Sequence, residues 1–484
     1  MHIIDESSKC LMCKQAPCTA ACPKGQNPSR GIRALRFDNI NNAGIYFGEA
    51  CADCPAPCES VCIHYDQPIR IKQLAAMVTP RKGTAEADLS IDFCGVHCEN
   101  PFFLGSSVIA SNYEMIAHAF DMGWGGAVYK TISKINIQEV SPRFDIVNKE
   151  GTPFIGFRNM EQLSEHSYQH DLEVMSRLKK DYPTKVVVAS IMGRDDAEWA
   201  ELAAACEKAG VDIIECNFSC PQMATKGTGS DVGQIPELVA RYTRVVKAAT
   251  SLPVLAKMTP NITHICDPAS AAIEAGADGI AAINTIKCVT INYTSEVTNH
   301  KTVSGYSGKA VKPIAQRMIL EMAKDERIAG HPLSGIGGIE TWRDAMEYIL
   351  VGCTNVQVVT AVMEYGYRII EDLKSGMADC ILRHGKTGIM DFVGDALDRF
   401  VPAEELDRNT YIMPHFNHDV CIGCGRCYIS CADGGHQAIT FGEDRRPHII
   451  GRKCVGCHLC KLVCPTGAIV EGRRIPKSTV GTDD

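Results

Sequence analysis

Between residues 85 and 410, short apolar, β-branched runs alternate with longer stretches in which apolar positions recur every three or four residues. The runs at 126–130, 186–191, 212–218, 254–258, 278–284, 333–336 and 356–360 predict strands. The stretches 112–122, 162–180, 196–209, 236–250, 268–276, 312–325 and 341–350 predict amphipathic helices. Near-continuous apolar strands separated by helices imply a parallel sheet covered on both faces. An open doubly wound sheet and a closed barrel share that pattern. Seven or eight units over roughly 320 residues favour the (β/α)8 barrel. No G-x-G-x-x-G follows any strand; Gly227, Gly229 and Gly233 have the wrong spacing. A Rossmann dinucleotide site is therefore not expected. Ser334-Gly335-Ile336-Gly337-Gly338 ends the seventh strand and Thr360-Ala361 the eighth. That pair of loops often binds phosphate through backbone N–H groups, with glycine allowing close approach. A ligand-free Gly-rich turn is the plainer alternative.

Composition narrows the class. The chain has 484 residues, 45% hydrophobic and 22% charged, which fits about three globular domains. A net charge of −8 gives no electrostatic case for nucleic acid or an anionic membrane surface. No apolar run reaches the length of a spanning helix, and the opening MHIIDESSKC lacks the pattern of a signal peptide. A cytoplasmic protein is expected, in which 25 cysteines point to metal rather than disulfides. The expected domains are a cysteine-rich segment at 1–84, the barrel at 85–410 and a second cysteine-rich segment at 411–484, with Arg81-Lys82-Gly83-Thr84 as a linker.

Sixteen cysteines lie in the two terminal segments. The C-terminal runs are Cys421-x2-Cys424-x2-Cys427-x3-Cys431 and Cys454-x2-Cys457-x2-Cys460-x3-Cys464-Pro465. This is the bacterial ferredoxin spacing, in which the fourth cysteine of each run ligates the other [4Fe–4S] cluster. The expected sets are Cys421, Cys424, Cys427 with Cys464, and Cys454, Cys457, Cys460 with Cys431. Zinc is disfavoured, because its sites draw on paired C-x2–4-C knuckles. At the N-terminus, Cys10, Cys13, Cys18 and Cys22 are followed by Cys51, Cys54, Cys58 and Cys62. Clusters at both ends call for an electron-handling centre between them.

Glu215-Cys216-Asn217-Phe218-Ser219-Cys220-Pro221 ends a strand, where a barrel keeps its active site. Asn-x-Ser-Cys-Pro at this point resembles class 1 dihydroorotate dehydrogenases and, more closely, dihydropyrimidine dehydrogenases. The segments 256–261, Ile283-Asn284-Thr285 and 334–338 resemble the same flavin barrel, and the flanking cysteine modules resemble dihydropyrimidine dehydrogenase alone. The middle and C-terminal parts look like the flavin-bearing subunit of the bacterial two-subunit NAD-dependent enzyme.

The resemblance implies FMN, with hydride passing from N5 to C6 of uracil or thymine and a proton passing from Cys220 to C5. A thiol, with an ordinary pKa of about 8.5, can transfer a proton either way near neutrality. Cys206, Cys216, Cys266, Cys288, Cys353 and Cys380 read as small core residues; Cys94 and Cys98 have no assignment. A pyrimidine offers carbonyls and N–H groups, so its site needs groups that donate and accept. By resemblance these are Asn159, Glu161, Asn217, Asn284 and Thr285, with Ser219 assisting. Glu161 taken alone reads as a solvated helix-start carboxylate. Lys257, ending the fifth strand, and Lys130-Thr131, ending the second, are expected at the flavin, where positive charge tunes the ring. Gly105-Ser106-Ser107 would let the backbone approach FMN. The polar loop 221–234 reads as a lid over Cys220.

The chain also departs from the family. Resemblance assigns one N-terminal cluster to Cys10, Cys13, Cys18 and Cys62, and the other to Cys22, Cys54, Cys58 and a downstream glutamine. Ala75 stands where that glutamine belongs, and alanine cannot ligate iron. Cys51 or Gln73 is the expected fourth ligand. FAD- and NADPH-binding domains separate the two parts in the one-chain family members; here only a short segment does. Electrons are therefore expected from a ferredoxin or from a partner subunit binding FAD and NAD(P), in a homo- or hetero-oligomer. Dihydroorotate oxidation, which needs a cation for the substrate carboxylate, and a pure electron-transfer hub are the alternatives.

Overall fold

The computed structural model describes residues 3–64, 66–146, 155–221, 223, 227–290 and 302–477, which divide into two compact units at residue 398. In the first unit, eight parallel strands close into a barrel: β1 (Phe102–Leu104), β2 (Gly126–Ile132), β3 (Val186–Ile191), β4 (Ile213–Asn217), β5 (Val254–Lys257), β6 (Gly279–Ala282), β7 (Leu333–Ile336) and β8 (Cys353–Val358). Each strand is followed by a helix on the outside: α1 (Tyr113–Met122), α2 (Tyr168–Asp181), α3 (Asp196–Ala209), α4 (Pro236–Ala249), α5 (Cys266–Glu274), α6 (Lys312–Lys324), α7 (Trp342–Leu350) and α8 (Ile370–Arg383). Every residue of β2 through β7 is buried, because one face fills the barrel and the other meets the helices.

Local chemistry sets the helix starts. Asn112 and Asp195 accept the N–H groups of Met115 and Glu198, and Thr341 forms a capping box with Asp344. The helix expected over 162–180 begins at Tyr168 instead, capped by Ser167. Residues before the cap are tied to the barrel: Ser164 N–H donates to Thr131 O at 2.9 Å.

Long connections after β2 and β6 build a feature the periodicity did not reveal. Phe144–Ile146, Phe157–Asn159, Ser304–Ser307 and Ile286–Cys288 form a four-stranded antiparallel cap sheet beside the C-terminal ends of the barrel strands. At the opposite end, a hairpin of Ile91–Phe93 and Val96–Cys98 packs Phe93 edge-on to Phe103, and the Cys94 thiol faces Asp278 O at 3.7 Å. Cys98, Cys206, Cys216 and Cys353 are fully buried and Cys380 nearly so, while Cys266 and Cys288 are half-buried.

The N-terminal segment is helical, with a core of its own around Ile32, Leu35, Phe47, Ile69 and Leu74. Its helix Pro28–Arg36 lies on α8, where Arg33 Nε donates to Asp372 Oδ2 at 2.6 Å and Arg30 and Arg33 share Glu371. Trp342 Nε1 donates to Asp38 O at 2.9 Å, and Arg81, in the expected linker, pairs with Asp379 at 2.6 Å.

In the second unit, a two-stranded sheet of Thr410–Phe416 and Ile469–Pro476 accompanies a hairpin of Ile439–Phe441 and Pro447–Ile449 and the helices Arg426–Gly434 and Leu459–Leu462. Among the described residues, no helix is long and apolar enough to cross a membrane.

Candidate active site and iron–sulfur sites

The C-terminal mouth of the barrel opens into a cavity with about 1060 Å3 of empty space, mouth included, which is large enough for a cofactor and a small ligand. Ser106, Lys130, Thr131, Asn159, Glu161, Asn217, Cys220, Lys257, Asn284, Thr285, Gly337, Gly338, Thr360 and Ala361 all line it. They come from β2, β4 and β5, from the segments after β1, β4, β6, β7 and β8, and from the cap sheet, which supplies Asn159.

Three expected residues stand elsewhere. Ser334 and Gly335 lie within β7, below the loop, and Ser334 Oγ donates to Asn355 Oδ1 at 2.6 Å. The close-approach glycines at this wall are therefore Gly337 and Gly338, with φ of 134° and 69°. A Cβ on them would come within 2.9 Å of Ala315 Cβ and Gly308 O respectively, so main chain forms this side. Thr360-Ala361 opens a short helix, Thr360–Tyr365, rather than ending a strand. Ser219 is fully buried beneath the lining.

Ser219 nevertheless organises the lining. Its Oγ donates to Asn217 Oδ1 at 2.9 Å and accepts from Asn284 Nδ2 at 2.8 Å. Asn217 Nδ2 donates to Thr131 Oγ1 at 2.9 Å, and Thr131 N–H donates to Ser106 Oγ at 3.1 Å. This chain ties the ends of β1, β2, β4 and β6 into one polar wall, each amide held by a fixed partner. Cys220 is 5% exposed, and Ser230 N–H donates to its carbonyl at 2.9 Å. A Cβ on Gly229 would stand 2.4 Å from that carbonyl, so the returning loop passes tightly over the cysteine. The segment expected to act as a lid falls partly outside the described residues, at 222 and 224–226.

Cations in the lining are matched by carboxylates. Lys130 Nζ donates to Glu161 Oε2 at 2.6 Å, and Arg143 donates to the other Glu161 oxygen at 3.1 Å. Glu161 is thus no solvated helix-start residue; its side chain is 9% exposed. Lys257 Nζ lies 3.7 Å from Glu215 Oε1, and Glu215 also accepts from Ser190 at 3.0 Å. Lys309, which the sequence reading overlooked, lines the cavity 3.6 Å from Glu340. Burial pushes the Glu340 carboxyl above its usual range, against the pull of Lys309. Gln357, also overlooked, lines the cavity with its buried Oε1 lacking a partner among the described residues. A polar residue in an apolar strand, Asn355-Val356-Gln357-Val358, was the available signal. An N–H-bearing ring would satisfy that oxygen. With two buried lysines and a main-chain wall after β7, the residues present fit a flavin phosphate.

Cysteine quartets surround three smaller hollows. Cys421, Cys424, Cys427 and Cys464 line one of about 380 Å3. Cys431, Cys454, Cys457 and Cys460 line another of about 360 Å3. Cys10, Cys13, Cys18 and Cys62 line a third, of about 400 Å3. Backbone N–H groups of Gly423 and Gly456 approach Cys421 and Cys454 Sγ at 3.5 Å, a match between the two halves of the C-terminal unit. Among the described residues, no three His, Cys, Asp or Glu side chains converge on a single metal ion. Quartets spread around a hollow fit the residues to a multi-iron cluster instead. Cys22, Cys51, Cys54 and Cys58 are likewise near neighbours: Cys22 and Cys54 add to the effect of burial in raising both Cys51 and Cys58. Ala75 is buried in the apolar core, whereas Gln73 is exposed.

Barrel, cap and polar wall together define a cofactor-dependent (β/α)8 enzyme, in a chain that also carries a C-terminal iron–sulfur module. The dihydroorotate dehydrogenase family model matches residues 88–381, and a 4Fe-4S dicluster domain matches 415–471. The chain belongs to the dihydroorotate dehydrogenase family, in its dihydropyrimidine dehydrogenase branch. It is 54% identical over 368 residues to the NAD-dependent dihydropyrimidine dehydrogenase subunit PreA of Escherichia coli, covering 75% of this chain and 90% of that one. It is 38% identical over 340 residues to the chloroplastic dihydropyrimidine dehydrogenase (NADP(+)) of Arabidopsis thaliana, covering 66% and 80%. Identity to the catalytic subunit of dihydroorotate dehydrogenase B from Pyrococcus horikoshii is 35% over 310 residues, covering 64% and 98%. The solved dihydroorotate dehydrogenase of Eimeria tenella shares the fold, with a TM-score of 0.54 at 20% identity over 65% of this chain and 89% of that chain.

Proposed function

We propose that the chain catalyses reversible reduction of the 5,6 double bond of uracil or thymine, with electrons supplied through iron–sulfur clusters. The observation that carries this reading is the wall Thr131–Asn217–Ser219–Asn284 beside the buried thiol of Cys220. Its amides and hydroxyls both donate and accept, as the carbonyls and N–H groups of a neutral pyrimidine require. Each lysine in the lining already faces a carboxylate, which disfavours a substrate that brings its own carboxylate.

Asn159, Glu161, Asn217, Asn284 and Thr285 bind and orient the ring. Cys220 gives its proton to C5, and its thiolate takes one back in the reverse direction; burial keeps water from competing for it. FMN, when bound, supplies hydride at C6. Lys130, Lys257, Ser106, Thr131 and Gln357 would hold its ring, and Gly337, Gly338, Thr360 and Ala361 its phosphate.

Four [4Fe–4S] clusters are the finer part of the proposal. Two belong to the C-terminal quartets, one to Cys10, Cys13, Cys18 and Cys62, and one to Cys22, Cys54, Cys58 and Cys51. Exposure of Gln73 and burial of Ala75 support Cys51 as the fourth ligand. Cys51→Ser should lower iron per chain and alter the cluster spectrum; unchanged iron and spectrum would remove Cys51 from the set. The electron donor is a ferredoxin or a partner subunit binding FAD and NAD(P), consistent with a relative that is itself a subunit. Full-length protein given dihydrouracil or dihydrothymine should reduce a viologen dye. Reduction with dihydroorotate alone would replace the reading with dihydroorotate oxidation.

A further inference from the structure

Lys130 stands between two carboxylates, and only one of them reaches the cavity. Glu161 accepts from Lys130 Nζ at 2.6 Å and lines the cavity. Glu139 comes from the segment between β2 and the cap sheet, and its side chain has no exposure. Its Oε1 accepts the Gln162 N–H at 2.7 Å and lies 3.6 Å from Lys130 Nζ. Its Oε2 is buried without a partner among the described residues. Arg143, another cation that acts on Glu139, is divided between Glu161 and Glu165. A carboxylate oxygen with unused accepting capacity is costly to bury, so its place beside an ammonium calls for a role.

We propose that Glu139 is a positioning residue for Lys130, a reserve anchor that keeps the ammonium in place when a ligand N–H in the cavity claims Glu161. An ammonium carries three donors, and a shift of under an ångström brings Glu139 to charge-assisted hydrogen-bond distance, about 2.8 Å. Without that reserve, a buried lysine losing Glu161 would shed its proton or swing away, and the positive charge at the flavin would go with it. The inference rests on the proposed roles of Glu161 at the pyrimidine and Lys130 at the flavin.

A double-mutant cycle tests it on the full-length holoprotein, with Glu161→Gln standing in for the ligand's claim. The readout is the rate at which FMN leaves after dilution, followed by flavin fluorescence. Glutamine preserves volume and the contact with Gln162 N–H, and melting curves verify folding. Glu139→Gln and Glu161→Gln alone should each speed release less than about threefold. The double variant should exceed the product of the two by about tenfold, since only there does Lys130 lose both anions. Glu139→Asp in the Glu161→Gln background should restore slow release. Additive effects, or no rescue by aspartate, would overturn the role of Glu139 and leave the function untouched. A parent protein that carries no FMN would overturn the functional reading and this inference together.

Discussion

Asn284 Nδ2 donates to Ser219 Oγ at 2.8 Å, joining the end of β6 to the segment after β4 through a residue that never touches the cavity. Ser219 passes the constraint on to Asn217. Ser219→Ala would strand a donor on Asn284 and leave Asn217 Oδ1 with only the backbone N–H of residue 219 of the two donors it now accepts. The expected cost is about 1–3 kcal/mol of stability together with loss of the fixed amide orientation. Melting temperature and the KM for uracil report the two effects separately. An unchanged KM would mean the amides orient themselves without the serine.

Cys220→Ala should lower turnover about 10^2–10^4-fold, the usual worth of a positioned proton donor, while flavin content stays at the parental level. Flavin absorbance of the purified variant and steady-state rates check the two halves. Retained turnover would place the proton donor elsewhere.

Arg33 and Asp372 form a buried ion pair between the N-terminal module and α8, with side chains 9% and 4% exposed. Removing only the arginine leaves Asp372 buried and uncompensated, a loss of about 3–5 kcal/mol. In Arg33→Ala, limited proteolysis should cut near residues 81–84 and release the module before the barrel melts.

Glu6 provides a pH signature for the same module. Burial alone would raise its carboxyl, but hydrogen bonds from Arg70 and Lys9 outweigh that and hold it at about 2 against an ordinary 4.5. Because the folded value is depressed, the stabilisation is fully present above pH 4.5 and is lost as pH falls toward 2. Acid denaturation followed by helical signal should show this slope in the parent, and Glu6→Gln should flatten it.

The barrel was legible because its strands and helices repeat a strong pattern, and the site because strand-end residues such as Asn217, Cys220 and Lys257 sit in short quotable motifs. The cap sheet was not. Its strands are only three or four residues long, and the pairing that joins its two halves, Gly305 with Asn159, links segments roughly 150 residues apart, so no local period marks them. Taken alone, Glu161 reads as a solvated carboxylate because its partner, Lys130, is distant in sequence; only the family resemblance pointed to it as a site residue. Lys309, Gln357 and Glu139 carried no motif, and their importance comes only from where the fold places them, in the cavity wall for the first two and behind it for Glu139. Ser334 was read as lining because glycines follow it; in fact the strand ends beyond it, which turns its hydroxyl into the barrel toward Asn355.

The central claim is tested most directly by a single anaerobic turnover. Full-length protein, reduced beforehand, is mixed separately with uracil, thymine and orotate while flavin absorbance is recorded. The account predicts reoxidation by uracil or thymine and not by orotate, slowed about 10^2-fold or more in Cys220→Ala. Reoxidation by orotate alone, or no response to any pyrimidine, would contradict it.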